Sequence, residues 1–321
     1  MNNSLLLFQA QYLHDSAAYN AVVWSKLILT MVAIPLLVRI RKYKRKVLVH
    51  QSLLILMRFH YYYIFSLVVL CGIDFSVTLY SYTSQNPNYY ILSCKELFIR
   101  RYPQVISAYG TLTTMFMMSV ERYAASKNFR TYEYSRKNTI YFWVHILMIL
   151  ATMPLTLAAF DPETSYSVST GVPAGGQVYH QILAIPLTLI EFTTIFMFER
   201  SHRINSAQLR QTGFSLTERY QISENLRILD LMRPIARFHG TIVCFVTIVY
   251  FVFGRRLEGK PSYPIFEESI NFFQLQGILL PLTFIRHERK ERARITTQLE
   301  SNSSTSGDLA TRHATEIMKG W

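Results

Sequence analysis

Two long stretches of this chain, residues 1–20 and 160–178, contain no lysine or arginine. Charge of either sign is scarce, at 17% of the 321 residues, and half of the chain is hydrophobic. Only three cysteines occur, Cys71, Cys94 and Cys244, and their spacing fits no zinc or redox motif. No glycine-rich phosphate loop, HExxH helix or GxSxG elbow is present, and no His or Asp pairs recur at matching depth. We therefore expect no metal, no cofactor and no enzyme activity. The first residues, MNNSLLLFQAQYLHDSAAYN, lack a basic leading region, and their apolar core is shorter than the ~7–15 residues of a cleavable signal peptide.

What is abundant is apolar sequence in long runs. About 20 such residues cover the ~30 Å of hydrocarbon in a bilayer, and a helix of that length satisfies its own backbone hydrogen bonds, as lipid cannot. Seven runs of this kind occur, over 21–40, 61–80, 102–120, 140–159, 179–198, 236–254 and 266–285. Pro154 and Pro281 fall inside the fourth and seventh, where membrane helices accept them as kinks. Rings such as Trp24, Tyr61 and Trp143 gather near run ends, as amphipathic rings do at the interface. The expected fold is an all-α membrane protein, a seven-transmembrane-helix bundle.

The chain carries 33 Lys and Arg against 20 Asp and Glu. A nucleic-acid binder would line one face with these cations and interleave exposed aromatics. Here they sit between apolar runs, so no nucleic-acid partner is expected. Their distribution also orients the chain. The connections on the side of residue 1 hold six Lys and Arg and those on the other side hold 26, with Lys26 inside the first run. Positive charge collects in cytoplasmic loops, which predicts an N-terminus outside and a C-terminus inside. The expected organisation is an extracellular N-terminal tail over 1–20, a transmembrane domain over 21–285 and a basic, Ser/Thr-rich cytoplasmic tail over 286–321.

The third run ends in an adjacent Glu121-Arg122 pair, followed by Tyr123. In this orientation the pair sits at the cytoplasmic end of an inward-running helix. It reads as a stop-transfer boundary or as a switch, since an acid–Arg pair closing the third of seven helices is the arrangement of a G-protein-coupled receptor. We favour the switch, with Glu121 restraining Arg122 and Glu218 or Glu224 supplying a second restraint. Side chains of adjacent helical residues point ~100° apart, so the pair need not form one tight salt bridge. Between the fifth and sixth runs, Ser215 and Glu218 have capping-box spacing. Ile222, Leu226 and Leu229 follow at helical intervals, predicting an amphipathic helix that leads into the sixth run.

The segments SVERYAASKNFRTYE at the end of the third run and ERYQISENLRILDLMRP at 218–234 resemble the nematode serpentine chemoreceptors of the Sra superfamily, most closely class e (Sre). The resemblance covers about residues 20–290. It implies a G-protein-coupled chemosensory receptor in the plasma membrane of a sensory cell, including its cilium, with a heterotrimeric G protein, a small-molecule ligand and membrane lipids as partners. Its motif residues fall on Glu121, Arg122 and Tyr123 and on Tyr220, Gln221, Ser223, Glu224, Asn225 and Arg227. The chain departs from the wider rhodopsin-like pattern in two places. Cys94 stands where half of an extracellular disulfide would be, but the loop 160–178 has no second cysteine, and LLPLTFI replaces NPxxY in the seventh run.

Two charges lie inside the outer halves of neighbouring runs. Lys26 and Asp74 are each ~8–9 Å deep at 1.5 Å per residue. Such groups usually pair within the bundle, so a structural Lys26–Asp74 ion pair is expected, with Asp74 facing a ligand cavity as the alternative. Tyr109, Thr113, Asn271 and Gln274 are the expected polar lining of an outward-opening cavity, each equally able to serve as a helix–helix hydrogen bond. So few charges suit a small, apolar or neutral ligand. A transporter or ligand-gated channel is the rival reading. Glu191, deep in the fifth run, would suit an ion path, yet no internal repeat accompanies it. After the seventh run, Arg286–Arg294 form a basic stretch suited to anionic lipid. A Ser/Thr cluster, Ser301–Ser306, and the sequons Asn2–Ser4 and Asn302–Ser304 complete the termini.

Overall fold

Helix dominates because the apolar runs are rich in Leu, Ile, Val, Phe and Met, with few breakers between their ends. The structure, a computed structural model, describes residues 3–43, 51–84, 91–132, 140–158, 165–167, 177–257 and 260–303. Ten α-helices are found there: α1 (Asn3–Asp15), α2 (Ala17–Tyr43), α3 (Gln51–Thr83), α4 (Cys94–Lys127), α5 (Phe129–Tyr132), α6 (Ile140–Ala158), α7 (Gln177–Leu209), α8 (Leu216–Leu257), α9 (Tyr263–Ile270) and α10 (Gln276–Ser303). The first six apolar runs correspond to α2, α3, α4, α6, α7 and α8, with residue 159 of the fourth outside the described residues. Among the described residues, α2, α3 and α8 are by themselves long and apolar enough to cross a membrane, and Ile140–Pro154 of α6 is a shorter apolar stretch. Helices α4 and α7 carry more polar residues, and those turn inward: Thr111, Thr114, Ser119, Glu191 and Thr194 are buried.

Helix α4 is the axis of the bundle, packing on α3, α6, α7 and α8. Met115, Met117 and Met118 from α4 enter a core with Leu53, Leu56 and Ile64 of α3 and Ile228, Leu229 and Met232 of α8. Helix α2 packs on α3, α9 and α10, and at Gly277 α10 approaches both α2 and α3 closely. A Cβ there would meet Val68 Cγ2 at 2.6 Å and Ala33 Cβ at 3.1 Å, the kind of contact that small residues permit between membrane helices. Gly277→Val should therefore cost about 1–3 kcal/mol by overpacking, read as a lower thermal unfolding midpoint in detergent.

Four expectations change. Residues 3–15, expected as part of a tail, form α1, whose Ala10 and Leu13 are buried against α2 and α3 with Tyr19, Leu67, Phe75 and Leu79. The seventh run is not one helix: α9 ends at Ile270, a 3-10 turn spans Phe273–Leu275, and α10 then begins at Gln276. Helix α10 does not stop at 285 but carries the basic stretch onward to Ser303; Ser304–Ser306 lie outside the described residues, as does Asn2 of the first sequon. Finally, the amphipathic segment and the sixth run are one helix, α8, 42 residues long. Its start has the expected reciprocal cap, with the Ser215 N–H donating to Glu218 Oε2 at 2.8 Å and the Glu218 N–H donating to Ser215 Oγ at 3.3 Å. The Ser215 backbone N–H holds the Glu218 carboxyl below the usual carboxylate range.

The loop without a second cysteine is tied down by backbone. Strand β1 (Ile91–Ser93) pairs antiparallel with β2 (Ser165–Ser167), Leu92 opposite Tyr166. Ser93 then caps α4, accepting from the Glu96 N–H while Glu96 accepts from the Ser93 N–H. The side chain of Cys94 is not among those described.

Candidate functional site

At one end of the bundle, the Glu121-Arg122 pair is fully interior: Glu121 is 0% exposed and Arg122 4%. It does not stand at a water boundary, because α4 runs on to Lys127 and the polar ends of α3, α7 and α8 enclose it. The ~100° separation of adjacent side chains is overcome by the length of Arg122, which curls back onto its neighbour. Its Nε donates to Glu121 Oε2 and its Nη2 to Glu121 Oε1, both at 2.5 Å. Such two-point carboxylate contacts are among the stronger side-chain bonds. Ser52 of α3 donates to Glu121 Oε1 at 3.2 Å.

The free edge of the guanidinium reaches another helix. Arg122 Nη1 donates to Asn225 Oδ1 of α8 at 2.9 Å. Asn225 Nδ2 in turn donates to Ser126 Oγ and to Asn205 Oδ1 of α7, each at 3.1 Å, and Asn205 Nδ2 donates to Ser126 Oγ at 2.6 Å. A buried polar chain thus joins α3, α4, α7 and α8. A further partner of Arg122 is thus Asn225, while Glu218 pairs with Arg130 at 2.8 Å. Tyr123 sits beneath the Lys127 ammonium, 5.0 Å from the ring centre, Tyr220 is exposed, Glu224 is half-buried, and Arg227 meets Glu291 of α10 at 3.6 Å.

At the opposite end, the expected Lys26–Asp74 pair does not form. Lys26 Nζ donates to Glu268 Oε2 of α9 at 2.6 Å and lies 5.3 Å from the Phe75 ring centre. Asp74 is held by two arginines of α4: Arg100 Nη2 at 2.5 Å and Arg101 Nη1 at 3.3 Å. Arg101 also donates to Glu268 Oε1 at 2.6 Å, so it bridges the acids that Lys26 and Arg100 cap. The reason is placement. α4 begins well before residue 102, bringing Arg100 and Arg101 into the bundle, and both outcompete a single ammonium for Asp74.

Beside this cluster lies a cavity of about 250 Å³ between α3, α4, α7, α8 and α9. Tyr109 and Asn271 line it, together with Arg101, Gln104, Glu268 and apolar side chains such as Leu112, Leu187 and Val243. Thr113 and Gln274 do not. Thr113 Oγ1 lies 2.9 Å from His145 Nδ1 of α6, and Gln274 Nε2 donates to Cys71 Sγ at 3.4 Å. One turn below Leu187 and Val243, Glu191 Oε1 stands 3.0 Å from His239 Nδ1, and His239 Nε2 is 3.4 Å from Thr111 Oγ1. The fifth-run carboxylate therefore meets a sixth-run histidine inside the bundle.

A cavity at one end of a seven-helix bundle and an Arg-centred latch at the other leave the subfamily open. Residues 9–309 match the model of a family described as serpentine type 7TM GPCR receptor class ab chemoreceptor. The chain belongs to this family. The class e resemblance is thereby corrected to class ab. The chain is similar to two proteins of Caenorhabditis elegans. It is 22% identical to serpentine receptor class alpha/beta-14 over 229 residues, 65% of this chain and 57% of the relative. It is 25% identical to serpentine receptor class beta-16 over 202 residues, 58% of this chain and 56% of the relative. The matches span somewhat over half the length of these curated relatives.

For this class ab receptor, sequence reasoning missed Ser52, Ser126 and Asn205 at the latch and Arg100, Arg101 and Glu268 at the cluster. Ser126 was detectable, lying one helical turn beyond Arg122 on the same face. Glu268 was detectable too, since a carboxylate inside an apolar run requires a cation within reach. Asn205 carried no signal of its own.

Proposed function

We propose that this class ab chemoreceptor transduces an extracellular small molecule to a heterotrimeric G protein, as a multi-pass protein of the plasma membrane. The observation that carries the reading is the Arg122–Asn225 bond between α4 and α8. It is a buried contact that, with the neighbouring Asn225–Ser126 bond, must open if the ends of these helices are to separate. The ligand enters the cavity from the side of α1 and favours the separated state by binding it more tightly, which is all that a ligand can do to such an equilibrium. Released from Asn225, Arg122 becomes available to the G protein, with exposed Tyr220 and neighbouring residues of α8 around it. The basic stretch of α10 from Arg286 meets anionic lipid at the cytoplasmic face.

The deciding experiment is ligand-dependent activation of a G protein in a heterologous cell expressing the chain. Failure of every coupling partner to respond, with the protein at the surface, overturns the coupling. The orientation has its own test, motivated by the unequal Lys and Arg content of the connections, 26 against six. A tag before Met1 should be stained on intact cells and a tag after Trp321 only after permeabilisation. The reverse pattern would exclude a receptor of this orientation.

A further inference from the structure

Two charged members of the cavity wall, Arg101 and Glu268, are already occupied. Glu268 receives Lys26 on one oxygen and Arg101 on the other, and Arg101 turns its remaining nitrogen toward Asp74. An anion at Arg101 or a cation at Glu268 would have to displace one of these buried partners and strand it, a strongly unfavourable exchange. Glu267 adds a carboxylate to the wall, which repels anions further. The hydroxyl groups are engaged as well: Thr247 accepts from Thr188 at 3.2 Å, and the Tyr250 hydroxyl lies 3.1 Å from that of Tyr263.

Asn271 differs. It lines the cavity, and its Oδ1 is buried with no hydrogen-bond donor among the described residues. A buried acceptor left without a donor is destabilising, so this oxygen favours any donor that can reach it. It also sits at the break of the seventh segment, where the extended backbone of Asn271, with ψ 90°, closes α9 before the 3-10 turn. Much of the remaining wall is apolar, with Leu67, Val105 and Ala108 among its side chains.

We propose that the cavity selects small, uncharged, largely apolar molecules that carry a hydroxyl or N–H, and that Asn271 Oδ1 accepts that hydrogen. This rests on reading the cavity as the ligand site and adds the chemical class and the residue that reads it. Ligand recognition then acts directly on the junction between α9 and α10.

The test uses the purified full chain in lipid nanodiscs and three probes of matched size: para-propylphenol, its methyl ether and para-propylbenzoate. Binding is read by titration calorimetry, and each variant's unfolding midpoint without probe checks that it is folded. The phenol should bind about tenfold more tightly than the ether, as one hydrogen bond to an otherwise unpaired acceptor implies, and the benzoate should not bind. Asn271→Leu should bring the phenol down to the affinity of the ether and leave the ether unchanged. Ala108→Phe, which fills the cavity, should remove both. Equal binding of phenol and ether, a phenol preference that survives Asn271→Leu, tightest binding by the benzoate, or no binding by any probe overturns the proposal. Because the readout is binding alone, a failure of G-protein coupling leaves this result intact.

Discussion

Replacing Asn225 with alanine should raise signalling in the absence of any ligand. The substitution removes the α8 acceptor of Arg122 Nη1 and the amide that donates to Ser126 and Asn205. A hydrogen bond to a charged group contributes about 1.5–3 kcal/mol, which corresponds to a shift in the resting population of about ten- to hundredfold. Stability should change less, since Arg122 keeps both contacts to Glu121. Glu121→Gln acts differently. It breaks a buried ion pair, a loss of about 3–5 kcal/mol where the remaining charge finds no other partner, and should lower the surface level as well as raise basal output. Arg122→Ala should abolish ligand-driven signalling. The measurement is a G-protein activation reporter normalised to surface receptor. Wild-type basal output from Asn225→Ala at normal surface level would show that the latch does not hold the resting state.

The second large effect is expected at Glu268. Glu268→Gln strands Lys26 and leaves Arg101 with Asp74 alone, a carboxylate it must share with Arg100. Both Lys26 and Glu268 are almost fully buried, so the loss should be about 3–5 kcal/mol, seen as poor surface expression and a lower unfolding midpoint. Removing the stranded charge as well should recover part of it. Lys26→Met with Glu268→Gln should therefore exceed Glu268→Gln alone in both readouts. Exchanging Lys26 and Asp74, by contrast, should not rescue, because the two do not pair. A double variant no better than the single one would mean that Lys26 gains nothing from Glu268.

The helices were legible because each apolar run is long and, apart from Lys26, Lys and Arg lie at or beyond its ends. The capping box at Ser215 and Glu218 was equally local, and so was the helical stripe that continues into α8. What failed was anything set by where a helix starts or by which neighbour it meets. Arg100 and Arg101 read as loop residues because the apolar signal begins only after them, although α4 starts at Cys94. The seventh run read as one helix because hydropathy does not register the break between Ile270 and Gln276. At the latch, Glu121, Arg122 and Asn225 stood out from their motifs. The hydrogen bond between Arg122 and Asn225 joins positions 103 residues apart, and no periodicity conveys such a distance. In the cavity, polarity alone could not separate Tyr109 and Asn271, which line it, from Thr113 and Gln274, whose partners are His145 and Cys71.

The unbroken course of α8 makes it a lever. Val243 touches the cavity and Asn225 touches the latch, and at 1.5 Å per residue the rod between them is about 27 Å long. A tilt of roughly 5° at the cavity end sweeps the far end through about 2 Å over such a length. That is enough to part a 2.9 Å hydrogen bond, because these contacts fade beyond ~3.2 Å. Pro234 lies within the rod, and a proline's missing N–H makes that turn the natural place to flex. Under the proposed function, a ligand that displaces Val243 by only a fraction of a side chain's width would be amplified at Asn225, and stiffness at Pro234 would set the gain.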